Sequence, residues 1–348
     1  MKRKGGFFNK IVNLNNIRLA IVKAARHKSN RPEIQECLKD IDKTALSIRE
    51  LLISGRFSTS DYKTRVIHDP KEREIFILPF YPDRIIQHAI MNILEPFWYK
   101  QLISNTFACI KNRGQQAASL KCHQFLVKNK YLLKCDISKY YKSINHQLLK
   151  NLLRRKIKDA KLLALLDNII DSLKTETNIP VGNYISQWFG NMFLAQVDDL
   201  VVHKLGIKAY VRYCDDFILF SDDKNYLKYC ANEIKNFINT NMNLTLSKCQ
   251  LINKSQGVDF LGYRHFPNKI LLRKRTVKRL KKRLNVNKLR RVAKMSFERA
   301  RGQVAAALGW TKHADTYNLR KLLNLDYLVY LYIRAEPLGN KIGTGKNT

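Results

Sequence analysis

Two adjacent carboxylates, Asp215 and Asp216, stand between apolar runs in AYVRYCDDFILF (209–220). Successive side chains of a regular strand face opposite sides, so both acids can approach one point only where the backbone turns. The matching apolar flanks predict that turn at the tip of a buried β-hairpin. A third acid, Asp136, ends the apolar strand YLLKCD (131–136). If the strands are neighbours in one sheet, three carboxylates gather at one sheet end. Burying such charges without a partner is costly, and they repel one another, so a cation is expected among them. Hard divalent ions such as Mg²⁺ take carboxylate oxygens together with substrate phosphates and water. Two of them, roughly 3.5 to 4 Å apart, align the attacking and leaving oxygens of phosphoryl transfer. A polymerase or a nuclease would use that chemistry.

The overall charge points the same way. Against 28 Asp and Glu the chain carries 64 Lys and Arg, a formal charge of +36, and a polyanionic partner would relieve that self-repulsion. Nucleic acid is the first candidate and an anionic membrane surface the second. With 348 residues, 45% of them apolar, there is material for two or three packed subregions. No apolar run approaches the about 20 residues of a spanning helix, and MKRKGGFFNKIVNLNNIRLA lacks the pattern of a cleaved leader. A cytoplasmic protein with no membrane partner is expected. The seven cysteines are scattered without a C-x-x-C pair, which suggests neither disulfides nor zinc but small core residues in a reducing compartment.

The elements that must position the acids can be outlined. Residues to about 30 are basic and weakly patterned and read as a flexible arm. PEIQECLKDIDKTALSIRELLISG (32–55) opens on Pro, repeats apolar residues at helical spacing and ends on Gly55, predicting one helix. RFSTSDYKTRVIHDPKEREIFILPF alternates around Asp69-Pro70 and predicts a strand pair bearing basic side chains. YPDRIIQHAIMNILEPFWYKQL returns to helical periodicity, and helical segments run from Asp136 to about 175. After IPVGNYIS an amphipathic helix places Phe189, Phe193, Val197 and Leu200 on one face. Beyond the Asp-Asp hairpin come a helix at about 223–240, a strand LTLS and a short hairpin ending in FLGY (260–263). From Lys269 to Arg301 there are 15 basic residues and one acid, Glu298, while Val277, Leu280 and Leu284 keep an apolar stripe, as in a basic helical appendage.

Tyr213-Cys214-Asp215-Asp216 resembles the YxDD box of reverse transcriptases, and CDISKYYKSI resembles their preceding aspartate motif. The resemblance implies that Asp136, Asp215 and Asp216 hold two Mg²⁺ ions, with the carbonyl of Ile137 as a further ligand. It makes Tyr141 the steric gate against a ribose 2′-OH. Arg73, in DPKEREI, matches the arginine that grips the incoming triphosphate, with Lys71 as a second candidate; a charge-assisted fork suits phosphate. In IPVGNYISQ, Gly182 falls where the backbone must approach nucleotide and template, between Val181 and, further on, Gln187. Lys248 matches the lysine that protonates the leaving pyrophosphate, a general-acid role. Phe260, Leu261, Gly262 and Tyr263 resemble the primer grip. The basic helical region resembles the thumb, with Arg273, Lys274, Arg275, Lys278, Arg279 and Lys282 on the duplex, where phosphate contacts are salt-sensitive. The implied fold is α+β, a right-hand polymerase: N-terminal arm and fingers over 1–125, a palm over 126–265 whose antiparallel sheet carries the catalytic acids, and a helical thumb with a loose tail over 266–348.

Most bacterial and retroviral members carry Gln before this glycine and Ser-Pro after it, whereas here Val181 precedes Gly182 and Ser186-Gln187 follow. That form, together with GWTKHADTYNL (309–319), resembles the reverse transcriptases of diversity-generating retroelements, over about residues 32–325. Such enzymes copy a template-repeat RNA into cDNA from dNTPs, passing through an RNA/cDNA duplex, and misincorporate opposite adenines. They work with a small basic accessory variability protein, expected to be oligomeric. Two alternatives stand beside this one. A group II intron-like or retron-type enzyme of ordinary fidelity is disfavoured by the missing Gln-Gly pair and the lack of maturase and endonuclease extensions. A catalytically silent RNA-binding scaffold is disfavoured by the complete set of acids. Cys214 also departs from the Met that many of the subgroup carry in the YxDD box.

Overall fold

Helical spacing of apolar residues accounts for most of the first hundred positions. In the computed structural model, which describes residues 3–68 and 72–334, α1 (Phe7–Ile11), α2 (Leu14–Ala25), α3 (Pro32–Lys39) and α4 (Ile41–Ile53) precede the first strand. The segment before residue 30 is therefore not a flexible arm. Ile11, Ile17, Ala20 and Ile21 are fully buried, and α2 packs along α4 and α5 (Ile85–Tyr99). Asn15 and Lys23 lie exposed on its outer side, and such residues blur the apolar stripe in sequence. Residues 32–55 form two helices rather than one. Asp40 leaves helical geometry at φ −137°, and its carboxylate caps α4 by accepting from Lys43 N at 2.8 Å.

β1 (Lys63–Ile67) and β2 (Arg73–Ile77) form the expected antiparallel pair, with Arg65 opposite Ile75. Further along, α6 (Gln115–Lys128) leads to β3 (Tyr131–Ile137). Four helices follow: α7 (Tyr140–Ser143), α8 (His146–Arg154), α9 (Ala160–Ile170) and α10 (Tyr184–Asp199). β4 (Tyr210–Tyr213) and β5 (Asp216–Ser221) make the hairpin with the paired acids, α11 (Lys224–Met242) follows, and β6 (Leu246–Asn253) starts within LTLS at Leu246. The strands assemble in the order β4-β5-β3-β6, so the strand ending near Asp136 is the neighbour of the strand beginning at Asp216. Phe217 to Phe220 are all buried, as in a strand covered on both faces, whereas edge strand β6 is largely exposed.

The described chain divides into two compact units, one comprising residues up to Gly114 with Leu133–Leu251, the other Gln115–Leu132 with Ile252 onward. The second holds the three-stranded sheet β7 (Val258–Phe260), β8 (Tyr263–Phe266) and β9 (Lys269–Leu272), with α6 packed on β8 although it comes far earlier in the chain. Its helices are α12 (Lys274–Arg283), α13 (Val286–Met295), α14 (Phe297–Thr311), α15 (Tyr317–Leu322) and α16 (Leu325–Val329), the expected basic helical region. Leu272, Leu280, Leu289, Val304 and Leu325 share its apolar core. The GWTKHADTYNL segment closes this core. Trp310 packs on Tyr263 with the rings tilted and 5.3 Å between centroids, and the Asp315 carboxylate accepts from Ile270 N at 2.9 Å.

All seven cysteines are free thiols; Cys37, Cys122, Cys135 and Cys230 are buried as expected, but Cys109 and Cys249 are exposed. No helix among the described residues is long and apolar enough to cross a membrane. Because Ile17 is fully enclosed, Ile17→Ala should lower the free energy of unfolding by about 2–5 kcal/mol in urea denaturation. A change within error would return this segment to the status of an arm.

Candidate active site

The turn between β4 and β5 is as short as a hairpin allows. Tyr213 pairs with Asp216, leaving Cys214 and Asp215 as the two turn residues. Cys214 has φ +54°, a left-handed conformation that a residue with a Cβ adopts at some cost and that clusters at functional sites. The turn resolves the alternation problem of two consecutive acids. Asp216 begins β5 beside β3, and Asp136 lies one residue before the end of β3. Burial pushes the Asp216 carboxyl up to about 6; Lys134 draws it down, and the charges of Asp136 and Asp215 raise it further. Both acids therefore lie close enough to act on Asp216.

Lys134 Nζ stands 3.3 Å from each oxygen of Asp216. It lies two residues before Asp136 on β3 and therefore on the same face. Sequence reasoning missed it, although a lysine inside the apolar YLLKCD was a visible signal. Ser247 of β6 donates to Asp136 Oδ2 at 2.6 Å and to the Asp136 carbonyl at 3.1 Å. Among the described residues no three His, Cys, Asp or Glu side chains already converge as a metal cage. The donor set nevertheless fits a hard divalent cation: Asp216 Oδ1 is buried with no hydrogen bond beyond its ion pair to Lys134, close to two further carboxylates, and carboxylate oxygens are the ligands Mg²⁺ prefers.

Tyr141 lies in α7, entered through Lys139 at φ +44°, with its ring against Gly190 of α10. A Cβ at position 190 would stand 3.1 Å from Tyr141 Cε1, so the glycine makes room for the ring. Burial holds the Tyr141 phenol well above its usual range, and it is neutral at physiological pH. Gly182 has the stricter requirement. Phe76 N of β2 donates to Val181 O at 2.8 Å, drawing the segment so close that a Cβ on Gly182 would lie 2.3 Å from Phe76 O, and φ is +125°. Asn183 and Tyr184 anchor the entry into α10, through Asn183 Nδ2 to Tyr62 OH at 2.8 Å and Tyr184 N to Gln87 Oε1 at 3.1 Å. Gln187 is exposed at a cavity of about 430 Å³ that Gly182 also lines, with Lys28, Arg31, Arg84 and His88. Burial and neighbouring cations hold His88 down at about 4, so it is neutral there. None of these basic residues was singled out from sequence.

Arg73 opens β2 and is exposed, and Lys248 is exposed on β6 beside Ser247; neither forms an ion pair among the described residues. Lys71 lies outside the described residues. Ile137, the last residue of β3, is buried.

The reverse transcriptase (RNA-dependent DNA polymerase) family profile matches residues 68–265, more than half of the chain and a span that contains all three acids. The chain belongs to that family. Protein YkfC of Escherichia coli strain K12 is 23% identical over 315 residues, covering 76% of this chain and 78% of YkfC. The COX1/OXI3 intron 2 protein of Saccharomyces cerevisiae is 22% identical over 247 residues, 52% of this chain but 29% of its own length. Among solved structures, telomerase from Candida albicans in complex with a fragment of telomeric RNA matches 80% of this chain and 60% of its own, with 12% identity and a TM-score of 0.46.

In the second unit of this reverse transcriptase, FLGY is the tip of a hairpin rather than its end. Phe260 pairs with Tyr263, and the turn residues Leu261 and Gly262 have φ of +50° and +85°. Gln115 Nε2 donates to the Leu261 carbonyl at 2.7 Å. On α12 the buried Thr276 and Leu280 turn inward while Lys274, Arg275, Lys278 and Lys282 are exposed. Arg273 and Arg279 are engaged within the unit. Arg273 Nε lies 3.7 Å from Asp259, and the Arg279 guanidinium lies 5.8 Å from the Trp310 ring.

Gly182→Ala should reduce nucleotide incorporation on the order of 10²-fold, the scale expected when reacting groups are misplaced by about 1 Å. Gly302→Ala, where nothing lies within 4 Å of the added methyl, serves as the control and should leave incorporation unchanged. Equal activity of the two variants in single-nucleotide extension would show that the close approach at 182 is dispensable.

Proposed function

We propose that this reverse transcriptase copies a template-repeat RNA into adenine-mutagenised cDNA for a diversity-generating retroelement, with an accessory variability protein as partner. The observation carrying this reading is the half-buried Val181, held by its carbonyl against Phe76, at the position where relatives of ordinary fidelity carry an amide. An apolar surface discriminates by shape, worth about 1–3 kcal/mol, whereas a polar group left unpaired can reject a wrong partner by about 10⁴–10⁵-fold. The basic cavity beside Gly182 supports a template strand there, since burial and neighbouring cations weigh against the charged forms of Lys28 and Arg84. Phosphates would relieve that cost.

The N-terminal segment and fingers take 1–125, the palm 126–265, and the thumb with its tail 266–348, of which 335–348 lie outside the described residues. Asp136, Asp215 and Asp216 would hold two Mg²⁺ ions, with the Ile137 carbonyl as a further ligand. Bound there, the ions supply charge stabilisation for the attacking 3′ oxygen and the leaving pyrophosphate. The chain's own groups do the remainder. Arg73 grips the triphosphate, Tyr141 closes the space beside the ribose C2′, and Lys248 gives a proton to the departing pyrophosphate oxygen. Phe260 to Tyr263 seat the primer end, and the exposed lysines and arginines of α12 track duplex phosphates.

A second reading, a group II intron-like enzyme of ordinary fidelity, draws on the similarity to the yeast intron 2 protein. Primer extension on a defined RNA, followed by product sequencing, separates the two. The wild type should extend with errors concentrated opposite adenine, and Asp215→Asn should lose roughly 10²–10³-fold or more of its rate. Extension undiminished in that variant would remove the carboxylate site, and uniform low error would favour the intron-like reading. Val181→Gln should lower misincorporation opposite adenine several-fold relative to the other bases; an unchanged error spectrum would sink the proposed source of infidelity.

A further inference from the structure

Beneath the Cys214-Asp215 turn lies a fully buried ion pair to which the metal, nucleotide and primer chemistry gives no role. Arg212 and Asp198 are 0% and 1% exposed in their side chains. Arg212 Nε donates to Asp198 Oδ1 at 2.7 Å and its Nη2 to Oδ2 at 2.6 Å, a bidentate fork. Tyr210 OH and Thr106 Oγ1 donate to the same carboxylate, at 2.8 and 3.0 Å, so its lone pairs are well occupied. Tyr210 and Arg212 alternate along β4 and share the face turned toward α10, which carries Asp198. The backbone of Arg212 is held as well: its N–H donates to Asn105 O and its carbonyl accepts from Phe107 N, both at 3.0 Å.

The remaining donors of the guanidinium reach toward the turn. Nη1 donates to the Cys214 carbonyl at 3.3 Å and to Asn191 Oδ1 at 3.3 Å, and Nη2 to the Asn191 carbonyl at 3.4 Å. Cys214 is the residue in left-handed geometry, and its carbonyl belongs to the peptide that leads into Asp215. Asn191 adjoins Gly190, against which the Tyr141 ring rests. One side chain therefore ties a strand, a helix and the strained turn together. We propose that Arg212 is a positioning residue for polymerisation: locked on Asp198, it grips the Cys214 carbonyl and fixes the turn that presents Asp215 and Asp216. Asp198 also neutralises the guanidinium, so the positive charge beneath the turn does not compete with cations for the acids. Lysine could keep the charge but has no planar fork to span Asp198, Asn191 and Cys214 at once.

The inference rests on the polymerase reading, and the test keeps the two apart. Arg212→Lys and the double variant Arg212→Met/Asp198→Leu are compared with wild type in full-length protein. The readouts are thermal midpoint, affinity for an RNA/DNA template–primer, and single-nucleotide kinetics across a Mg²⁺ titration. A buried pair replaced by apolar residues of similar volume is often neutral for stability, so the double variant separates fold from turn. Both variants should keep the thermal midpoint and template–primer affinity close to wild type. Their kcat should fall on the order of 10- to 100-fold, with dNTP KM little changed and half-maximal activity requiring several-fold more Mg²⁺. Wild-type kcat and Mg²⁺ dependence in either folded variant would overturn the inference. So would loss of fold in both, which would make the network a core element only. Failure of the wild type itself to extend the primer would instead strike the polymerase reading.

Discussion

Carboxylates crowded at the end of a buried sheet lose hydration and repel one another, and the surrounding elements answer that pressure in different ways. Lys134 meets Asp216 across its face of β3, and Ser247 from the edge strand donates to Asp136. The turn itself is held from below by a guanidinium whose charge is already matched by Asp198. The division matters for chemistry. Lys134 offsets the charge of one acid only, whereas a neutralised pair underneath fixes the geometry of the turn without adding net positive charge to the group. Repulsion that folding must tolerate is the property that, in the function proposed here, a divalent cation would relieve.

The positive charge of the chain is likewise sorted by use. On α12, Lys274, Lys278 and Lys282 recur every four residues along one exposed side, where a polyanion can reach them. Arg273, just before this helix, and Arg279 within it are equally cationic but turned to internal work against Asp259 and Trp310. Lys28, Arg31 and Arg84 converge on a cavity in the other unit, where burial and neighbouring cations weigh against the charged forms of Lys28 and Arg84. Such clusters persist most readily where a partner supplies phosphates, and the family to which the chain belongs acts on that substrate class.

Close approach of backbones is the third device. Gly182 and Gly190 lack a Cβ where one would meet the Phe76 carbonyl and the Tyr141 ring, respectively. In the first case a strand of the hairpin β1–β2 can lie hard against the segment that carries Val181. In the second, an aromatic side chain can rest on a helix without displacing it. Both contacts join segments far apart in the chain, and both depend on the atom that glycine leaves out.

Chemistry-bearing groups at short spacing were the legible part. Asp136 at a strand end, the Asp-Asp hairpin and the basic helices after Lys269 follow from alternation, helical periodicity and charge, which are local and survive in one dimension. The N-terminal helices are not legible in sequence because basic and polar residues on their outer side blur the stripe that α4 and α5 bury. The continuous apolar period over 32–55 suggests one helix, but capping by Asp40 outweighs it and divides the segment in two. Lys134 and Arg212 looked like interruptions in apolar strands, and only packing shows which carboxylate each one meets. By itself the sequence determined which chemical groups the protein owns and the period on which they repeat, since both are properties of the chain. The tertiary structure alone decided which charges are neutralised in the interior and which remain for substrate. Desolvation and pairing depend on neighbours from distant segments, and no local pattern records them.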